Sequence, residues 1–318
     1  MKIWKIFKTE GNRRNEKSMA LVGISLFPAL ATGVYIFGSR GAMMTLVCVA
    51  ACIVFEAIFN AVTRHPNTLK DGSAAVTGII LSYLLPSGFP FWMAVTGCFV
   101  SIIGAKQIFG GFGRNILNPA AAGYAFLMLL FPGYIAHLPF PSVAAAVGGG
   151  AAASPLQLMA AGRLEEIPSY FEMFLGFTSG SFGTVSVIAL LIGGAFLIWK
   201  KQISPVMPLS VICGIAVTAA LIPGQDPVFH ILTGGSVFGA IYLAGDFATT
   251  PSGSVGKAVF GLICGILTVI VRMSGTYIDG MILAVLIMNV VTPYIDAAGE
   301  KLCLKGEKQI SAAETGKE

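Results

Sequence analysis

The 318-residue sequence has little charge, since Asp, Glu, Lys and Arg make up only 11% of it, against about 25% in soluble domains. Apolar residues make up 55%, and several apolar stretches reach or approach the ~20 residues that cross a bilayer's hydrocarbon core. A soluble globular fold is therefore excluded. The net charge of +5 does not indicate a nucleic-acid partner, because the basic residues are scattered over short segments.

Metal and nucleotide motifs are also missing. The six cysteines form no CxxC pair, haem-type CxxCH or ferredoxin-type run, and no Walker or Rossmann turn is present. Cys48 and Cys52 share a helix face, but no histidine or acid joins them at ligand spacing, so we predict that both are buried structural residues. The histidines, His65, His137 and His230, lie far apart. Redox chemistry in this chain would need an organic cofactor.

The apolar pattern predicts an all-α integral membrane protein with about ten transmembrane helices. The predicted spans lie near residues 18–38, 41–63, 72–86, 89–109, 118–132, 183–199, 205–223, 231–245, 253–272 and 279–297. Ala29-Leu30-Ala31 resembles a signal-peptidase site, but the apolar run continues too far for a signal peptide. We therefore interpret residues 18–38 as an uncleaved first helix.

The basic residues predict the orientation. With a cytoplasmic N-terminus, only Arg40, Arg163 and Arg272 fall outside, as the positive-inside rule expects. The inside residues are Lys2, Lys5, Lys8, Arg13, Arg14, Lys17, Arg64, Lys70, Lys106, Arg114, Lys200, Lys201, Lys257, Lys301, Lys305, Lys308 and Lys317. Both termini are thus predicted to be cytoplasmic, in a bacterial or archaeal cytoplasmic membrane.

The predicted spans form two halves, residues 18–132 and 183–298, with matching layouts. Each half has a short third span led by Gly and Ser, at 71–74 and 234–237, which predicts a broken helix. An odd number of spans per half orients the halves oppositely, so we predict two inverted five-helix repeats. The other segments are a cytoplasmic N-terminal segment (1–17), an external loop (133–182) that docks on a partner, and a cytoplasmic tail (299–318).

The most distinctive run is FGGFGRNILNPA at residues 109–120. Asn115 and Asn118 offer amide donors and acceptors that suit the polar edge of a planar ring, while the alternative is a tight turn with Asn caps. The counterpart in the second half, residues 244–251, contains Asp246, which is a functional candidate or a cap in water. Asp71 shares that ambiguity. Glu56, within the second span, lines an ion path, snorkels or is neutral.

These runs, together with residues 71–78, 234–251 and 286–289, resemble the NqrB/RnfD family. Its members are membrane subunits of the sodium-pumping NADH:quinone reductase and of the Rnf ferredoxin:NAD complex. The likeness covers nearly all of residues 18–298. In its length and in the lack of a long N-terminal extension, the chain is more similar to the RnfD branch, which belongs to the Rnf complex.

The resemblance implies two flavins. The family holds one non-covalently within the bundle, riboflavin or FMN, and Asn115, Asn118 and Asp246 match the positions that hold its ring. It also carries an FMN esterified through its phosphate to a threonine of an SGAT-PL-like motif on the outer loop. Here that place is AAASPL, residues 151–156, so Ser154 is the candidate for attachment by a flavin transferase. Thr178 and Thr184 are weaker candidates, expected instead in turns and helix caps.

The function implied is that of a subunit that passes electrons between flavins across the membrane. Sodium or proton transport would belong to the whole complex, with other membrane and peripheral subunits as partners. The chain shows no NAD or ferredoxin site and would not be catalytic alone. From the repeat and the short helices alone, a small-solute channel or transporter fits equally well, and a structural scaffold is a further alternative. Bound flavin distinguishes these hypotheses.

Overall fold

The computed structural model describes residues 12–64, 68–136, 153–275 and 279–315. His65, His137, the alanines at 151 and 152, and the outermost parts of both predicted terminal segments lie outside the described residues. Within the described ranges the regular elements are all helical and no strand occurs, so the all-α prediction is confirmed.

The helices follow the predicted spans. They are α1 (Asn12–Ser25), α2 (Phe27–Phe37), α3 (Ser39–Thr63), α4 (Ser73–Leu84), α5 (Phe91–Phe99), α6 (Pro119–Leu130), α7 (Pro132–Ala136), α8 (Pro155–Ala160), α9 (Tyr170–Leu175), α10 (Val187–Trp199), α11 (Val206–Leu221), α12 (Pro227–Leu232), α13 (Ser236–Phe238), α14 (Ser254–Met273) and α15 (Gly280–Thr315). Short 3₁₀ turns occupy Leu69–Asp71 and Leu164–Glu166, and π-helical turns occupy Val100–Gln107 and Gly239–Leu243.

Four of the described helical segments are long and apolar enough to cross a membrane. They are Ser18–Phe37, Ser39–Thr63, Ser254–Met273 and Gly280–Glu300. Shorter apolar helices lie between them, including α4, α6, α10 and α11. Large apolar side chains such as Leu46, Val62 and Leu221 stay exposed on the outer faces of these helices, which is the surface expected against lipid.

Each of the two short predicted spans contains a glycine with a positive φ near its start. Gly72 has φ +71° and precedes α4, while Gly234 has φ +62° and lies in the gap between α12 and α13. L-residues with a side chain rarely adopt these backbone angles, so glycine allows the chain to turn sharply into each short helix. The break at Gly234 confirms that one predicted span is interrupted.

Two π-helical turns widen the bundle where polar residues enter it. The helix α5 continues as the π-helical turn Val100–Gln107, and α13 continues as Gly239–Leu243. Such turns are rare and often lie at functional sites, because the extra residue per turn redirects side chains. Here the first carries Lys106 inward and the second ends just before Gly245 and Asp246.

The core joins both halves around the junction between α1 and α2. The hydroxyl of Tyr83 donates to the Leu26 carbonyl and that of Tyr242 to the Ser25 carbonyl, both at 3.0 Å. The Phe238 ring lies between these tyrosines, with centroids 6.3 Å from Tyr83 and 5.2 Å from Tyr242. All three rings are buried, so the centre of the described fold is filled by aromatic side chains.

Candidate functional site

A cleft with an open mouth lies between the two halves. Its walls come from α1, α4, the loop before α6, α10, and the turn around Asp246. Three of the sequence-predicted site residues, Asn115, Asn118 and Asp246, line this one cleft although 128 residues separate the last two.

Asn118 both caps a helix and faces the cleft. Its Oδ1 accepts from the Ala121 amide at 3.1 Å, with Pro119 in the first turn of α6, so the predicted cap is present. Its Nδ2 donates to Asp246 Oδ2 at 3.3 Å, which ties the asparagine loop to the second half. The cap fixes the side chain so that the amide nitrogen is aimed across the cleft.

Asn115 presents an unpaired acceptor. The side chain is 2% exposed and its Nδ2 donates to the Leu117 carbonyl at 3.1 Å. Its Oδ1 is buried and has no hydrogen-bond partner among the described residues. A buried acceptor left without a donor costs about 1–3 kcal/mol, so the geometry fits a ligand that brings an N–H or O–H group.

Asp246 lies in the loop after the second π-helical turn. One carboxylate oxygen accepts from the Ala248 amide at 3.2 Å and the other from Asn118. Burial raises the pKa of the Asp246 carboxyl to about 6, and hydrogen bonds from Ala248, Thr249 and Asn118 oppose that rise. The carboxylate is therefore a costly, half-buried acceptor, as expected of a binding residue rather than a cap in free water.

We expect Asp246→Asn to stabilise the protein when the cleft is empty. The stabilising effect of Asp246 protonation is full below its ordinary pKa of 3.8 and is lost as pH rises through about 6. At pH 8 the variant therefore melts a few degrees higher than wild type, and at pH 5 the difference shrinks. Thermal unfolding in detergent, followed by tryptophan fluorescence, measures this. Equal melting temperatures at both pH values would contradict the burial argument.

Asn289 holds the two loops in place. Its Oδ1 accepts from the Asn118 amide at 2.8 Å, and its Nδ2 donates to the Thr249 carbonyl at 3.3 Å. Thr292, one turn later on α15, donates to the same carbonyl at 3.0 Å. The run at residues 286–289 thus supplies the joint between the asparagine loop and the aspartate loop, a role that its sequence did not indicate.

Aromatic and aliphatic side chains form the rest of the cleft. Phe112 and Phe247 pack edge to face at the mouth, with ring centroids 5.4 Å apart. Val76, Ile80 and Ile241 line the walls and Tyr242 lies at the inner end. A cleft with apolar faces and a few polar groups at one edge suits a planar heteroaromatic ligand.

A buried ion pair lies beside the cleft. Lys106 and Glu56 are 1% and 0% exposed, and Nζ lies 2.8 Å from Oε2. Lys106 also donates to Ser73 Oγ at 2.6 Å, and Ser73 in turn donates to Asp71. Glu56 is therefore neither snorkelling nor solvated. Lys106, which was counted among the basic residues on the cytoplasmic side, is buried within the bundle and paired with Glu56.

Ser154 lies away from the cleft, at the start of α8. Its Oγ accepts from the Gln157 amide at 3.2 Å and Gln157 Oε1 accepts from the Ser154 amide at 2.8 Å, a capping box. The side chain is 8% exposed. Leu156 packs with Met173 and Phe229, so α8 is anchored on α9 and α12.

The weaker attachment candidates are buried. Thr178 and Thr184 are both largely removed from solvent, and the Thr184 hydroxyl lies 3.5 Å from the Ser181 carbonyl within a turn. The turn role predicted for Thr184 is thus present. Cys48 and Cys52 are fully buried, as predicted, and no group of three potential metal ligands occurs among the described residues.

Arg272 was expected at the external membrane boundary, yet it is 5% exposed in the last turn of α14. Its guanidinium donates to the carbonyls of His230 at 2.7 Å and Thr233 at 3.1 Å, and to Ser236 Oγ at 2.7 Å. Asp279 lies 3.4 Å away. Arg272 therefore satisfies the backbone at the break between α12 and α13.

Fold and cleft together define a helical membrane protein with a buried, polar-edged site between its two halves. Residues 8–302 match the family described as the NQR2, RnfD, RnfE family. The chain belongs to this family, which confirms the resemblance drawn from the asparagine–proline run and its companions.

Individual relatives cover most of the chain. It is 38% identical over 283 residues, 87% of each chain, to the D subunit of the Na⁺-translocating ferredoxin:NAD⁺ oxidoreductase complex of Acetobacterium woodii. It is 37% identical over 296 residues, 88% of each chain, to the D subunit of the proton-translocating ferredoxin:NAD⁺ oxidoreductase complex of Clostridium ljungdahlii. It is 35% identical over 257 residues to the B subunit of the Na⁺-translocating NADH-quinone reductase of Azotobacter vinelandii, covering 76% of this chain and 62% of that one.

Proposed function

We propose that this chain is the flavin-carrying membrane subunit of an Rnf-type complex, which passes electrons between flavins while the whole complex moves sodium ions or protons. The convergence of Asn115, Asn118 and Asp246 on one cleft carries this proposal. The relatives at 37–38% identity are named as subunits of ion-translocating ferredoxin:NAD⁺ oxidoreductases, which supports the assembly with other membrane and peripheral subunits.

The cleft residues fit the polar edge of an isoalloxazine ring. That edge carries one N–H donor between two carbonyl acceptors. The Asn115 Oδ1 and the Asp246 carboxylate can accept from the N–H, and the Asn118 amide nitrogen can donate to one carbonyl. When bound, the ring supplies reversible electron transfer, while the protein positions it and tunes it. Phe112 and Phe247 pack against each other at the mouth.

The proposed topology is an inverted repeat of two five-helix halves in the cytoplasmic membrane, with both termini cytoplasmic. Several paired contacts support it. Ser73 at the start of α4 binds Lys106, and Ser236 at the start of α13 binds Arg272. The same role therefore recurs at the start of the third span of each half, filled by a basic residue at the end of the fourth span.

A conducting channel is the weaker proposal. The packed rings of Tyr83, Phe238 and Tyr242 occupy the space behind the cleft, which a pore would need to keep open. The non-covalent flavin provides the direct test. We expect the purified complex to release riboflavin or FMN from this chain when it is denatured, measured by chromatography with fluorescence detection. An intact complex without flavin would support the channel instead.

For the second flavin we propose FMN, bound through its phosphate to Ser154 by a flavin transferase. In a strain that co-expresses the transferase, the wild-type chain gives a fluorescent band on a denaturing gel. Ser154→Ala is expected to abolish the fluorescence and Ser154→Thr to keep it, because threonine retains the hydroxyl.

Ser169→Ala is the matched control for this experiment. Ser169 forms the same capping box on α9, with Glu172 in place of Gln157, so this variant loses an equivalent cap without losing Ser154. Thr178→Ala and Thr184→Ala test the weaker candidates. A fluorescent band in Ser154→Ala would contradict attachment at Ser154, while a dark wild-type band from cells with active transferase would exclude covalent flavin on this chain.

A further inference from the structure

The cleft is also lined by a cation that has no part in the proposed binding of the ring edge. Among the described residues that line it, Lys106 and Asp246 carry charge, on opposite sequence halves. We propose that Lys106 is a tuning residue whose fixed positive charge raises the reduction potential of the flavin bound in the cleft. This inference rests on the proposed function, since it concerns the same site.

The structure holds the Lys106 ammonium in one place. Glu56 Oε2 accepts from it at 2.8 Å and Ser73 Oγ at 2.6 Å, which together use two of its three donors. Thr68 donates to the other Glu56 oxygen and Ser73 donates to Asp71, so both partners are themselves oriented. The remaining N–H is available to a ligand.

Lys106 and Glu56 act unequally on the cleft. Lys106 lines it, whereas Glu56 is fully buried on α3 and does not. A ligand in the cleft therefore meets the ammonium first and the carboxylate behind it. In a protein medium with an effective dielectric constant of ~20, a charge acts about four times more strongly than in water.

The unequal positions of Lys106 and Glu56 affect the reduction of a flavin in the cleft. Two electrons from a low-potential donor and one proton from solvent convert a neutral isoalloxazine into an anion, whose charge is spread over its uracil-like edge. A nearby cation stabilises that anion more than the neutral oxidised ring, so the reduction potential rises. The bonds to Glu56 and Ser73 keep the cation in place before the electrons arrive, so little reorganisation is needed.

The test measures flavin content and midpoint potential in the purified complex, using dithionite, redox mediators and the absorbance of the non-covalent flavin. The double variant Glu56→Gln/Lys106→Met removes the pair without leaving a buried charge unpaired. We expect its potential to fall, with at least a tenfold lower ratio of reduced to oxidised flavin at the wild-type midpoint. For a two-electron couple that is about 30 mV.

One single variant is expected to shift the reduction potential in the opposite direction, and two others serve as controls. Glu56→Gln leaves the ammonium less compensated and is expected to raise the potential, whereas Lys106→Arg keeps the charge and should stay near wild type. Lys200→Met removes an exposed lysine that packs on Trp199, away from the cleft, and should leave the potential unchanged.

The possible outcomes distinguish a failure of the tuning role from a failure of the proposed function. Wild-type complex without non-covalent flavin would overturn the proposed function. Flavin present in all variants at one common potential would overturn only the tuning role and leave Lys106 as a structural ion pair. The tuning role can still be tested if the double variant does not fold. In that case, a reduction potential in Glu56→Gln that is equal to or below the wild-type value overturns the tuning role.

Discussion

Asn118→Ala is expected to abolish binding of the non-covalent flavin that we propose for the cleft. The change removes the amide nitrogen that donates to Asp246 at 3.3 Å and the cap on the Ala121 amide. The Asn118 amide nitrogen is also the proposed donor to a ring carbonyl. A buried carbonyl left without a donor costs about 1–3 kcal/mol, and each 1.4 kcal/mol is a factor of about ten in affinity. We therefore expect at least a tenfold loss of flavin per protein, measured by flavin release after purification in detergent.

Two further replacements separate the cap from the ligand contact. Asn118→Ser keeps a capping oxygen but has no amide nitrogen, so α6 should remain intact while flavin is lost. Asn118→Asp also keeps the cap, but places a second carboxylate against Asp246, and two like charges at this distance disfavour each other. Flavin retained at the wild-type ratio in all three variants would show that Asn118 is only a helix cap.

The apolar runs predicted most of the fold because helix formation in a membrane is a local requirement. Without water to satisfy the backbone, each apolar run must pair its own N–H and C=O groups, so span and helix coincide. The break at Gly234 was also visible locally, as Gly-Gly-Ser within an apolar segment. The π-helical turns carried no such signal, since nothing in VSIIGAKQ marks a change of helical period.

The candidate site residues that resemble a family motif were identified from the sequence. Residues that reach the site from elsewhere in the fold were not. Asn115, Asn118 and Asp246 were found in two loops, and the structure places them together. Lys106 and Asn289 were not predicted to contact the site.

The positive-inside rule did not reveal the buried position of Lys106. The positive-inside rule counts every lysine alike, so Lys106 was counted with the other basic residues on the cytoplasmic side. The signal was nevertheless present, because Lys106 and Glu56 each lie inside a predicted span, and such residues usually pair. Arg272 shows the same effect at the end of the matching span of the second half.

Lys106 and Arg272 explain how short helices can start inside an apolar bundle. Each short helix begins with backbone groups and a serine hydroxyl that lipid cannot satisfy. A basic side chain from a neighbouring helix reaches that point in both halves, Lys106 to Ser73 and Arg272 to Ser236. An acid then balances each cation, Glu56 in the first half and Asp279 in the second.

Arg272→Met is therefore expected to destabilise the protein strongly. The change leaves the carbonyls of His230 and Thr233 without their donor and removes the cation beside Asp279. Each buried carbonyl left without its donor costs about 1–3 kcal/mol, and the loss at both corresponds to a fall in melting temperature of roughly 10 °C. Thermal unfolding in detergent, with recovery of monodisperse protein after mild heating, measures the loss.

The same substitution at Arg163 is the matched control. Arg163 pairs with Glu166 on the surface, and both side chains are about half exposed, so Arg163→Met should cost at most about 1 kcal/mol. Arg272→Lys keeps the charge but cannot reach every partner at once, so it should fall between the two. Because Leu156 contacts the same junction at Gly234, loss of Arg272 should also loosen α8 and reduce the flavin attachment that we propose at Ser154. Equal melting temperatures for Arg272→Met and Arg163→Met would mean that the break between α12 and α13 is held by packing alone.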